Sequence, residues 1–71
     1  MRIKAETDEG AIEAKVHIFA IDRPEALATG VTPCELALDR GEYEAEVSWG
    51  RYSQRRKLQV GDRDVELLFG F

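Results

Sequence analysis

Glu42-Tyr43-Glu44-Ala45-Glu46-Val47-Ser48-Trp49, followed after Gly50-Arg51 by Tyr52-Ser53-Gln54-Arg55-Arg56-Lys57-Leu58, decides the fold class. Apolar Tyr43, Ala45, Val47 and Trp49 alternate with glutamate and serine, the period of a strand with one buried face. A helix would set Tyr43 and Val47 beside Glu42 and Glu46 and leave no clean apolar stripe. If Gly50-Arg51 is a two-residue turn with glycine first, Trp49 pairs with Tyr52. Counting outward puts Glu46 opposite Arg55, Glu44 opposite Lys57, and Tyr43 opposite Leu58. Opposite charges then meet on one face and apolar groups on the other, each pair contributing about 0.2–1 kcal/mol. A slip of one residue would oppose Tyr43 to Lys57 and mix the faces. The one misfit is Arg56, which lands on the inner face beside Ala45. Its long stem allows the guanidinium to reach out from an edge.

The same period extends along the chain. Ile12, Ala14, Val16, Ile18 and Ala20 recur at every second position, as do Val65, Leu67, Phe69 and Phe71. Asp8-Glu9-Gly10 closes a first strand from about Arg2 to Thr7. Asp39-Arg40-Gly41 separates Cys34–Leu38 from the quoted hairpin, and Gly61-Asp62-Arg63-Asp64 precedes the last strand. Glycine at such points supplies positive φ, and aspartate bonds its own backbone. The longest connection is Asp22 to Pro33, where residues 24–28 are expected to form one helical turn, since Gly30 and Pro33 forbid a long helix. The expectation is one all-β domain over residues 1–71, a small antiparallel β-sandwich of about six to seven strands.

Composition narrows the function. Fourteen acidic and ten basic side chains give a net charge of −4, whereas a general nucleic-acid binder needs a basic field to release phosphate counterions. No apolar run approaches the ~20 residues of a membrane-spanning helix. Nor does a charged-then-apolar leader open the chain, which reads as soluble and unprocessed, or as one module of a larger exported protein. With one cysteine there is no internal disulfide, and Cys34 with His17 cannot by themselves hold zinc. No cofactor is expected. A chain this short buries only ~60% of its unfolded surface, so packing, turns, charge pairing or association must stabilise it.

The order of features resembles a PEGA domain. Asp8-Glu9-Gly10-Ala11 leads into a strand, Val16–Ile21 ends in Asp22, and Gly30-Val31-Thr32-Pro33 is followed by Leu36 and Leu38. Gly41-Glu42-Tyr43 begins eight residues after Pro33, and Gly50-Arg51-Tyr52 comes before the final strand. The family's motif has proline where Asp8 stands, a shorter connection after Ile21, and glycine directly before tyrosine where Arg51 intervenes. The resemblance covers about Arg2 to Leu68. It implies a prealbumin-like Greek-key sandwich used as an accessory, adhesive or spacer module, often at bacterial or archaeal surfaces, with no catalytic residues.

Candidate sites follow from the same alternation. Cys34 belongs with Leu36 and Leu38 on an inner face while His17 points to the other face, so the chain is not expected to be an enzyme. Glu42, Glu44 and Glu46 have basic partners across the hairpin and read as a solvated face. Those same glutamates neutralise the basic run Arg51 to Lys57, so nucleic acid is not expected as a partner. Trp49 and Tyr52 flank a hairpin tip, where they either stack a sugar ring, making carbohydrate a candidate ligand, or cap the core next to Tyr43. Phe19, Ile21 and Leu68 extend apolarity to the outer faces, and strands apolar on both faces are normally covered on both. Their cover is either the Asp22–Pro33 connection folding back or a second molecule, as in a homodimer. A non-catalytic protein-interaction or accessory module is the leading reading.

Overall fold

The computed structural model describes residues 1–71 and contains strands without helices. In chain order these are β1 (Arg2–Thr7), β2 (Gly10–Ala11), β3 (Lys15–Ala20), β4 (Ala26–Val31), β5 (Cys34–Glu35), β6 (Gly41–Trp49), β7 (Tyr52–Val60) and β8 (Glu66–Gly70). Six are full strands; β2 and β5 hold two residues each. They form two four-stranded sheets, one of β2, β5, β1 and β8 and the other in the order β4-β3-β6-β7. The shortest molecular dimension is 16 Å. That fits two sheets stacked about 10 Å apart and no third layer.

The β6–β7 hairpin has the register its charges dictate: Trp49 faces Tyr52, Glu46 faces Arg55, Glu44 faces Lys57 and Tyr43 faces Leu58. Gly50 has φ of 63° while Arg51 has a negative φ, the combination of a glycine-first hairpin turn. β6 continues into β3 through Val16–Val47 and Ile18–Ala45 pairs. These lay the inner series of three strands on one plane. Opposite them lie Ile3 and Ala5 of β1 and Phe69 of β8, all buried. Phe69 is the largest fully buried side chain of the core. Burying an aromatic of this size, with its 150–250 Å² of surface, is a large share of what so small a core gains.

Two features depart from expectation. Residues 24–28 make no helical turn; β4 starts at Ala26 and pairs antiparallel with β3, with a bulge between Ile18 and Phe19. Pairing with an open β3 edge outweighs the local helix propensity of Glu25, Ala26, Leu27 and Ala28. Asp22 makes the reversal at φ 65°, a left-handed conformation that aspartate tolerates. The last strand, in turn, lies parallel to β1, Arg2 facing Glu66 and Ala5 facing Phe69. The other strand pairs are antiparallel. A parallel neighbour needs a long connection, and everything between β1 and β8 supplies it.

The chain changes sheets four times, and one side chain locks two of the crossings, near Ile12–Ala14 and at Val31–Cys34. Thr32 is 1% exposed. Its Oγ1 accepts from the Ala14 amide at 2.8 Å and donates to the Ile12 carbonyl at 2.7 Å. Its own amide donates to the Ala14 carbonyl at 2.9 Å. Gly30 matters for close approach, because a Cβ there would sit 3.2 Å from Cys34 Sγ. The Gly-Val-Thr-Pro run thus has a structural account at two of its positions. A third tie is Tyr43, whose hydroxyl donates to the Asp39 carbonyl at 2.7 Å and fixes the turn into β6.

Candidate functional site

The outer face of the β4-β3-β6-β7 sheet divides in two. On the β6–β7 side, Arg55 donates to Glu44 at 2.7 Å and to Glu46 at 2.9 Å. Glu44 and Glu46 are thereby paired within the sheet, whereas Glu42 faces Gln59 and lacks the basic partner expected for it. On the β4–β3 side, Thr29 pairs with His17 and Val31 with Lys15, so Leu27, Thr29 and Val31 share the face of Phe19. Leu27 is 58% and Val31 50% exposed. Phe19 and Ile21 are half-buried.

Phe19 sits where the two halves meet. The Arg55 guanidinium lies 5.0 Å over its ring, and the His17 ring stacks at 6.5 Å. Its β4 neighbour, Ala26, is too small to cover it from the other side. Next to it opens a shallow cleft of about 410 Å³ bounded by Ile21, Pro24, Glu44 and Lys57. The Asp22–Pro33 segment extends the sheet sideways as β4 and does not fold over Phe19. Of the two covers considered for this face, the segment's own return is therefore not the one in place.

Leu68 does not join this patch. It lies opposite Lys4 on the outer face of the other sheet, 50% exposed, beside Pro33 and Ile12. Phe19 and Ile21 on one side and Leu68 on the other are two separate apolar surfaces. Sequence alternation marks all three as outward. Which sheet each strand joins is not contained in alternation, so their separation is not legible there. Leu27 is hidden because 24–28 reads as a helical turn, and Val31 because the whole of Asp22–Pro33 reads as a connection. Their signal is the period-two series Leu27, Thr29, Val31 against small Ala26, Ala28 and Gly30.

At the hairpin tip, Trp49 packs against Phe71 with ring centroids 6.3 Å apart at 58°. Trp49 remains 38% exposed and does not cap the core next to Tyr43, which lies at the opposite end of β6. Tyr52 is 60% exposed. Cys34 and His17 belong to different sheets, Cys34 packed against the core and His17 on the outer face. Burial pushes the Cys34 thiol up, away from the reactive thiolate. His17 Nδ1 is sealed without a hydrogen-bond partner. No three His, Cys, Asp or Glu side chains gather in a metal-holding group. At the far end, Arg2 bonds Glu35 at 2.5 Å and holds that carboxyl below the usual carboxylate range, first through the hydrogen bond and then through charge.

No helix is long and apolar enough to cross a membrane. Comparison of the chain with protein-family models and with curated proteins gives no match.

Proposed function

We propose that this chain is a non-catalytic protein-interaction module, a PEGA-like sandwich of prealbumin type that acts as an accessory or spacer unit. The observation that carries the reading is the split outer face. On its charged half Arg55 is paired with Glu44 and Glu46 within the sheet. On the other half Leu27 and Val31 are exposed beside half-buried Phe19 and Ile21, with only the Arg55 guanidinium and the His17 ring against Phe19. Exposed apolar groups clustered on one part of a surface mark a binding site more often than singly scattered ones do. A carbohydrate platform at Trp49 and Tyr52 is the weaker reading, because Trp49 is committed to Phe71.

The test is binding that depends on the strip. Immobilised wild-type chain should retain a protein, or a second copy of itself, that the double variant Leu27→Lys, Val31→Lys releases, with rebinding of the purified partner as the check. Retention indifferent to those charges would overturn the assignment. Quenching or enhancement of Trp49 fluorescence by a polysaccharide would move the site to the hairpin tip.

A further inference from the structure

A β-sandwich has sheet edges, and each edge left open is a template for another strand. This protein closes all but one. On β8, Leu68 and Gly70 turn their carbonyls away from β1, and β7 side chains meet them. Gln54 donates to the Gly70 carbonyl at 2.5 Å and Arg56 to the Leu68 carbonyl at 3.3 Å. The Arg56 guanidinium also lies 4.4 Å over the Phe69 ring, so it is held in place. β7 carries Arg55, Arg56 and Lys57, and pairing two such strands would bring like charges together. β2 and β5 are two residues long. β4 is the exception: Ala26 to Val31 contains no charged residue, proline or glycine-rich tip, and two of its side chains are large, apolar and exposed.

We propose that β4 is a self-association edge, where two copies of this chain pair antiparallel about a two-fold axis at Thr29 and join their sheets into one of eight strands. The hydrogen-bonding direction supports it. The Thr32 amide donates to the Ala14 carbonyl. Bonded pairs in an antiparallel ladder recur at every second residue, so Gly30 and Ala28 turn their backbone groups toward β3. Thr29 and Val31 therefore turn theirs outward. Centring the axis on Thr29 sets Thr29 against Thr29 of the second copy and brings Val31 beside the side chain of Leu27 of the second copy, the extra residue at the bulge. Threonine pairs and aliphatic pairs are favourable cross-strand neighbours. Glu25 falls opposite Pro33 of the second copy, so no like charges meet. The occupant is a second copy because the edge complements itself: an uncharged strand whose large residues sit symmetrically about its centre. The proposal rests on the interaction-module reading and names its partner.

The test is the mass in solution over a concentration series, by light scattering or sedimentation, with three chains. Wild type should pass from monomer to dimer, with little change on adding salt. Thr29→Pro removes an outward amide that β3 does not use, so it should stay folded and monomeric. Leu27→Lys, at an exposed position, should weaken the dimer about tenfold or more and covers the case in which the proline variant fails to fold. Amide exchange at Thr29 and Val31 should slow as concentration rises. A wild type monomeric at high micromolar concentration, or a dimer untouched by both variants, overturns the self-association edge. If such a monomer still binds a purified partner through Leu27 and Val31, the interaction module stands without the dimer. If it binds none, both fall.

Discussion

β7 and β4 border the same sheet, yet they meet solvent in opposite ways. β7 carries Arg55, Arg56 and Lys57, and its inward-leaning Gln54 and Arg56 reach across to the neighbouring sheet. β4 carries no charge and reaches nothing across its open side; it is anchored at one end by Thr32. The difference teaches that edge protection in a sandwich this thin is a matter of side-chain length. Only long polar side chains on one sheet's border can bond the backbone of the other's. Ala28 and Gly30, the short inner residues of β4, cannot do so.

The comparison can be broken first at the closed border. Phe69→Ala removes the aromatic floor under Arg56 and leaves a core cavity, at an expected cost of about 3–5 kcal/mol. For a chain of this size, with total stability of roughly 4–11 kcal/mol, a urea melt should show a large share of that stability lost. Thr32→Val breaks the other border. It leaves the Ala14 amide and the Ile12 carbonyl without their side-chain partner, and about 1–3 kcal/mol should disappear from the denaturant midpoint. Gln54→Ala with Arg56→Ala is gentler, about 1 kcal/mol in monomer stability, since these groups are exposed. Its sharper readout is association: with the β8 carbonyls uncovered, light scattering should detect aggregates that the β4 variants do not suppress.

The smallest effect is a pH dependence far from either border. Arg2 depresses the Glu35 carboxyl, so the ion pair contributes stability above the ordinary carboxylate pKa and loses it as pH falls through the depressed folded value. Both groups are solvent-exposed, and the contribution is correspondingly slight. Glu35→Gln should flatten that acid limb of the thermal midpoint curve and leave neutral stability nearly unchanged.

The sequence reveals local pairing and conceals distant pairing. The Tyr43–Leu58 register is legible because a misregister would oppose Tyr43 to Lys57, so the residues themselves reject it. Arg56 is legible as an inner-face misfit for the same reason. β4 is not, since Glu25-Ala26-Leu27-Ala28 suits a helix locally and becomes a strand only because β3 offers it an edge. The parallel β1–β8 pair is hidden too: alternation gives each strand its inner face but not its neighbour. Of the candidate site, Phe19, Ile21 and Leu68 are correctly read as outward, while their division between two faces and the addition of Leu27 and Val31 depend on that distant pairing.

That β1–β8 pair also sets how the molecule is assembled in time. Arg2 finds Glu66, and Ala5 finds Phe69, nearly the full sequence away. A hairpin such as β6–β7 can close within microseconds. The sheet around β1 must instead wait for a loop spanning most of the polypeptide, and the core lacks its largest side chain until that loop closes. Folding should then be a single late event, slow for the size of the chain, with no stable half-formed sandwich along the way.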